Sequence, residues 1–247
     1  MTRRVNTIRI AGNQRLWPMA DSAEMRGFTL VELLVVISLI ALLATLTVGL
    51  SGVAARKSRE SRIKSDLNKL VTSIDNYRSA IGAFPRDSGK PSTNQLFYEL
   101  VGTYFEGSGP NGNFVVPSGE RSLTAAQVQQ VFNAPGFGNS VRRGDQLKVT
   151  EEFKASQHKE IIGPPNFEVL IVPVKGPQQF TIPATSIKAP LELKASDGTL
   201  VNPWLYESSS PTRNNRDGFD LWTEVIIGKN IVRFSNWEKD PVVVGKP

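Results

Sequence analysis

The chain contains no cysteine and a single histidine among its 247 residues. Without thiols there is no disulfide staple and no thiolate chemistry, so a domain built from this sequence must hold itself together by packing and hydrogen bonds. With His158 alone, a multi-histidine metal site cannot form, and any histidine-dependent catalytic triad has only that imidazole to use. A strong excess of one charge is also missing. The formal net charge is +6, but Arg3, Arg4, Arg9, Arg15 and Arg26 against Asp21 and Glu24 place half of it in residues 1–27. The remaining +3 is a weak case for a nucleic-acid-binding surface, and no nucleic-acid partner is expected. Proline is absent between Phe28 and Phe84. Proline removes a helical N–H and clashes with the preceding turn, so its absence leaves this stretch free to form one uninterrupted helix.

That stretch opens on a long apolar run. Residues 28–50 hold one charge, Glu32, and no polar stripe. At about 1.5 Å per residue they reach roughly 34 Å as a helix, enough to cross a bilayer core. A cleaved secretory signal has a shorter apolar region followed by a small-x-small cleavage site. Here the run passes straight into an amphipathic pattern, so retention as a single-pass membrane helix is expected. Glu32 then needs an explanation, because a carboxylate inside a spanning helix costs on the order of 2–3 kcal/mol. One reading has it reach the headgroups and the positive end of the helix dipole from its place near the start of the run. The other gives it a partner in an assembly.

The residues around it favour the second reading. Arg26-Gly27-Phe28-Thr29-Leu30-Val31-Glu32, followed by the apolar helix, resembles the type IV pilin-like family, which includes the pseudopilins of type II secretion. The resemblance is unbroken over residues 26–37. It implies cleavage between Gly27 and Phe28 by a membrane prepilin peptidase, N-methylation of the new Phe28 amine, and pairing of Glu32 with the terminal ammonium of a neighbouring subunit. A buried charge pair of this kind favours one axial register over others. The resemblance also implies an N-terminus inside the cytoplasm, a head in the periplasm and assembly from the inner membrane. The charge rule alone is nearly balanced, since Arg56, Lys57, Arg59, Arg62 and Lys64 follow the helix. The leader is long for the family, and Met1, Met19 and Met25 are alternative starts. The family's helix glycine and proline positions are Ala41 and Gly49 here, which puts its usual helix-melting behaviour in doubt; Gly49 and Gly52 remain candidate points of bending.

Beyond Leu50 the apolar positions Ile63, Leu67, Leu70, Ile74, Tyr77 and Ile81 recur at helical spacing, and Gly82 and Pro85 mark the stop. This stripe fits a face laid on a globular head better than a short coiled coil. Residues 85–160 read as an irregular elaboration, with short helices over Thr93–Phe105 and Thr124–Phe132 and loops rich in Gly and Pro. Strands are expected at 167–174, 180–183, 191–195, 219–227 and 230–237, the last two joined by a turn at Gly228-Lys229. The fold class is therefore α+β: a long N-terminal helix, half transmembrane and half amphipathic, packed on a C-terminal antiparallel sheet in a pilin-like way. The organisation is a cleaved leader (1–27), an assembly helix (28–50), its amphipathic continuation (51–84) and a head (85–247) with strands from 161 onward.

Asn202-Pro203-Trp204-Leu205-Tyr206, Asp217-Gly218-Phe219-Asp220-Leu221-Trp222 and Asn236-Trp237 resemble, with looser spacing, the C-terminal part of the major, G-type pseudopilin. That resemblance implies a Ca²⁺ loop, for which Asp217 and Asp220 are the only nearby aspartates. The intervening "SSSPTRNNR" adds two arginines and no carboxylate, which argues against a cation. The alternative is that Asp217 caps a turn and Asp220 faces solvent. No other cofactor is expected. Gly107–Gly112 matches G-x-G-x-x-G, but Pro110 lies inside it and no βαβ pattern surrounds it, so it reads as a loop. His158 reads as a solvated surface residue, and Trp204, Trp222 and Trp237 as core.

The sequence thus points to a non-enzymatic filament subunit, most like a type II secretion pseudopilin. Its expected partners are copies of itself, other minor pseudopilins, the prepilin peptidase, an inner-membrane assembly platform and membrane lipid. A minor type IV pilin or DNA-uptake pseudopilin is the alternative within the family; a membrane-anchored enzyme or ligand-binding protein with a pilin-like N-terminus is the alternative outside it. If Gly27 serves a protease subsite that admits no Cβ, Gly27→Leu will leave only precursor-sized protein on a denaturing gel. A mature-sized band from this variant would refute the assignment.

Overall fold

The proline-free stretch forms helix α1, Leu30–Ile81. The computed structural model describes residues 28–117, 122–141, 153–183 and 185–247, without the side chains of 46–51, 110 and 141. The leader 1–27, with Gly27, Met19 and Met25, lies outside the described residues. The chain divides into two compact units, Met1–Ser51 and Gly52–Pro247.

In the first unit the helix is apolar all round. Leu30, Val31, Leu33, Leu34, Val35, Val36 and Ile37 point in every direction around the axis and are all exposed. A helix with no polar face has no stable position against water. Among the described residues, however, no helix is long and apolar enough to cross a membrane. The part of the apolar run whose side chains are described ends at Thr45, short of the about 20 residues a span needs. The remainder of the expected 28–50 span falls on side chains outside the description.

In the second unit α1 is amphipathic. Ile63, Leu67, Leu70, Ile74 and Tyr77 are buried, as their spacing predicts, while Ile81, the last of the series, is exposed. The helix stops where Gly82 takes a left-handed conformation (φ 87°) and its N–H returns to Arg78 O at 2.8 Å.

The described part of residues 85–160 holds more regular secondary structure than expected. Helix α2 is confined to Leu96–Val101, and the residues after it form strand β1, Thr103–Glu106, instead of continuing the helix to Phe105. Gly102, at φ 72°, breaks the helix and redirects the chain. Strands β2 (Asn113–Val115) and β3 (Ser122–Thr124), helix α3 (Ala125–Phe132) and strand β4 (Ser140–Val141) follow. The sheet order is β3-β2-β1-β4, with only β1–β4 parallel. Thr124 and Gln127 make a reciprocal capping box at the start of α3. The stretch 107–112 is the loop between β1 and β2, as expected.

The remaining strands are β5 (His158–Ile161) with β6 (Phe167–Leu170), the hairpin β7 (Gln179–Ile182) with β8 (Ile187–Pro190), then β9 (Leu205–Glu207), β10 (Asp220–Ile227), β11 (Asn230–Ser235) and β12 (Val242–Gly245). The last four form an antiparallel sheet in the order β12-β11-β10-β9. The expected strand at 191–195 is reduced to isolated bridges at Lys194 and Ala195; a strand forms instead at β8, starting four residues earlier, where Ile187–Pro190 finds β7 as partner. The turn at Gly228-Lys229 is present, with Gly228 at φ 64°.

Both faces of β10 are covered. Leu221 and Val225 join the α1 stripe in the main core, whereas Trp222 packs with Phe180, Leu191 and Leu205 under the β7–β8 hairpin. A strand buried on both sides reads as a nearly continuous apolar run, which is the pattern of "FDLWTEVII". Trp204 is also buried, and Trp237 stands edge-on to Trp222 at 5.8 Å, so the three tryptophans serve packing.

Tyr77, at the end of the stripe, ties α1 to the inserted sheet. Its hydroxyl donates to Glu99 Oε2 (2.8 Å), and the same carboxylate accepts from the backbone N–H groups of Gly138 (2.7 Å) and Asn139 (2.9 Å). A Cβ at Gly138 would lie 2.6 Å from the Tyr77 hydroxyl, so this approach requires glycine. Burial pushes the Glu99 carboxyl above its ordinary range, against the pull of these donors. Because Ile74 is fully buried in the centre of the stripe, Ile74→Ala should cost about 2–5 kcal/mol in denaturant unfolding. A loss below about 0.5 kcal/mol, the level of an ordinary surface change, would contradict the packing described.

Candidate functional site

The first candidate is the start of α1. Thr29 precedes the first helical residue, and its hydroxyl oxygen accepts from Glu32 N–H at 3.2 Å. Glu32 Oε2 in turn accepts from Thr29 N–H (3.0 Å) and from the Thr29 hydroxyl (2.8 Å). This is a reciprocal capping box, with threonine at the cap and glutamate three residues on. It satisfies helix-start N–H groups that have no partner within the helix. Oε1 has no hydrogen-bond partner among the described residues, and the side chain is exposed. Phe28, also exposed, is the residue whose nitrogen becomes a terminal amine if the chain is cut after Gly27. The arrangement therefore offers one carboxylate oxygen held in place and one free to accept from an ammonium. The Thr-x-x-Glu spacing was readable in the sequence; its part in holding Glu32 was not drawn from it.

The second candidate is the loop at 208–220, expected to place Asp217 and Asp220 as calcium ligands. Asp217 is exposed. Asp220 is buried instead of facing solvent, and both its oxygens are taken by N–H donors: Oδ2 by Asn214 N (2.6 Å) and Asn214 Nδ2 (2.9 Å), Oδ1 by Asn215 N (2.9 Å). The loop's carbonyls are occupied too. Arg213 donates through Nε to Asn215 O (3.0 Å), through Nη1 to Ser210 O (2.8 Å) and through Nη2 to Arg216 O. A calcium ion needs six to eight oxygen ligands. Here the carbonyl oxygens point at a guanidinium and the buried carboxylate points at N–H groups. Among the described residues no group of three or more His, Asp or Glu converges. These residues do not fit calcium; a fixed cation, Arg213, sits among the loop's carbonyls.

The other end of this loop is held by Asp87, which sequence reading missed. Its Oδ2 accepts from the N–H groups of Ser208 (2.6 Å) and Ser209 (2.7 Å), and its Oδ1 from the Ser209 hydroxyl (2.7 Å) and Gly89 N–H (3.2 Å). Apart from the nearby Gly89 its partners, Ser208 and Ser209, lie 121 and 122 residues away, so its role in the loop has no local signal. Asn236 closes the same region, accepting from Leu221 N–H and donating to Phe219 O, both at 2.9 Å. His158 is not a solvated residue: its Nδ1 lies 2.9 Å from Glu168 Oε2, and its ring is 5.0 Å from that of Phe97.

Residues 24–48 match the prokaryotic N-terminal methylation motif. No curated protein and no solved structure matches the chain. The chain thus carries a type IV pilin-like N-terminal signal, and its α+β architecture, an N-terminal helix followed by a C-terminal antiparallel multi-sheet region, is consistent with a pilin-like fold.

Burial raises the Asp87 carboxyl, but the hydrogen bonds from Ser208, Ser209 and Gly89 outweigh it and leave the group below its ordinary value. A carboxyl with a depressed folded pKa stabilises above the unfolded value, about 3.9, and loses that contribution as pH falls through the lower folded value. Wild type should therefore melt higher than Asp87→Asn at neutral pH, and the gap should close below about pH 4. The wild-type melting temperature should be the same in calcium and in chelator. A gap independent of pH, or a rise of several degrees with calcium, would contradict the hydrogen-bonded closure.

Proposed function

We infer that the protein is a structural subunit of a type IV-like filament, most like a type II secretion pseudopilin, and that it performs no catalysis. The observation that carries this is the methylation motif at residues 24–48, set on a helix start where Thr29 holds one oxygen of Glu32 and leaves the other free. In this reading the leader is cut after Gly27, Phe28 is methylated, and residues 28–50 hold the subunit in the inner membrane with the head in the periplasm. An assembly platform then extracts the subunit, with minor pseudopilins as further partners. The all-round apolar surface of the helix from Leu30 to Leu43 suits both homes, lipid before assembly and neighbouring helices after it.

The narrower assignment to secretion pseudopilins rests on the sequence resemblance of the three C-terminal segments. Tyr206 donates to Pro85 O (2.8 Å), Trp204 O accepts from buried Asn94 (2.7 Å), and Asn236 brackets Phe219 and Leu221, so the three resembling segments all serve the same part of the head. The missing calcium donor set is a departure from that resemblance, and Arg213 supplies a physical substitute for it.

In a low-dielectric helix bundle an ammonium without its carboxylate costs about 3–5 kcal/mol. Glu32→Val should therefore reach the membrane fraction at wild-type level while its sedimentable polymer falls at least ~10-fold, the equivalent of only about 1.4 kcal/mol. Wild-type polymer yield from this variant would overturn the pairing role of Glu32, and a wild type that forms no sedimentable polymer would overturn the filament reading.

A further inference from the structure

The outer face of the C-terminal sheet is only partly covered by the β7–β8 hairpin. Beside the hairpin lies a cavity of about 760 Å³. Its floor is apolar, formed by buried Leu191, Val201 and Ile231. Its rim carries Lys175, Lys188 and Lys246, all exposed. No aspartate or glutamate side chain lines it. Among the described residues none of these lysines has an ion pair or a side-chain hydrogen bond, whereas Lys64 pairs with Asp240 and Lys159 with Asp197 elsewhere on the head.

The walls are held in place by the backbone. Ile226 N–H donates to Lys175 O (2.9 Å), and Leu191 N–H donates to Gln178 O (2.8 Å). Asn202, at the back, spends its amide N–H groups on Val174 O and Glu224 O, both at 3.1 Å. Glu224, a buried acid on the same face of β10 as Ile226, accepts from Thr181 N–H at 3.3 Å; burial raises its carboxyl, and Lys188 is one of the charges that act on it, so the positive field at Lys188 is partly offset there.

We propose that this cavity binds an extended acidic segment of a partner protein, its carboxylates on the rim lysines and its intervening aliphatic side chains on the Leu191–Val201–Ile231 floor. Three separated ammonium groups match several separate carboxylates. A phosphate is better held by the forked donors of arginine or by a helix N-terminus, and the cavity lining has neither. The exposed amides of Gln178 and Gln179 on the same rim suit the peptide groups of an extended chain. The proposal does not depend on the filament reading, since it uses only residues of the head.

The test is fluorescence anisotropy of the full-length protein in detergent with a labelled peptide of alternating Glu and Leu, about six residues long, the usual length of a strand. Saturable binding is expected, weaker by about ten-fold in the Lys175→Glu, Lys188→Glu double variant and weaker again as salt rises from about 0.05 to 0.5 M. An alternating Lys and Leu peptide should not bind. Both substituted side chains are exposed, and the Lys175→Gln, Lys188→Gln pair gives the same comparison if the glutamate variant does not fold. Binding unchanged by the double substitutions, which would report the micelle or diffuse charge, overturns the proposal. So does equal binding of a Glu and Ser peptide, which would leave the apolar floor without a role, or displacement by millimolar inorganic phosphate.

Discussion

A carboxylate at the start of an apolar helix has two obligations. It must be tolerated where water is scarce, and it must not consume all its acceptors on its own helix. Glu32 meets both through Thr29. The reciprocal pair satisfies the helix-start N–H groups and fixes the side chain through Oε2. Oε1 is left for a donor the described chain does not supply. An ammonium is the donor that best fits a carboxylate in low dielectric, and cleavage after Gly27 would create one at Phe28. Under the proposed function, processing and assembly are two uses of one short sequence.

The head shows how a cysteine-free domain orders its long connections. Buried or half-buried carboxylates do much of this. Glu99 gathers Tyr77 from α1 with the N–H groups of Gly138 and Asn139; Asp87 gathers Ser208 and Ser209; Asp220 gathers Asn214 and Asn215. Glu99 and Asp87 join segments far apart in the chain, whereas Asp220 closes a local loop. At Asp87, whose donors hold the carboxyl below its ordinary value, the hydrogen bonds are charge-assisted, a kind about twice as strong as neutral ones. Arg213 is the complement, a cation that collects carbonyls, and together with Asp220 it closes the loop.

What could be read from the sequence was whatever depends on local spacing. The stripe Ile63–Leu67–Leu70–Ile74–Tyr77, the stop at Gly82, the α3 segment with its Thr124 start and the Gly228-Lys229 hairpin all follow from periodicity and turn chemistry within a few residues. The sheet inside 85–160 was hidden because its strands are two to four residues long, too short to show alternation. The strand at 187–190 lost to its apolar neighbour 191–195 on composition, yet pairing with β7 decides the structure. His158 looked solvated because its neighbours in sequence are charged, while Glu168 and Phe97, which hold it, come from other elements. At the candidate site, Gly27, Phe28 and Glu32 were legible as a motif. The geometry that denies calcium to Asp220 was not, because it depends on the direction of N–H groups.

The central claim is that Glu32 of one subunit meets the Phe28 amine of another. Solid-state NMR on polymer assembled from two pools tests it directly, one pool isotope-labelled at the Phe28 nitrogen and the other at the Glu32 carboxyl carbon. The account predicts dipolar transfer between the pools at ion-pair range, about 4 Å. No transfer between the pools, in mixed polymer that forms normally, would contradict it.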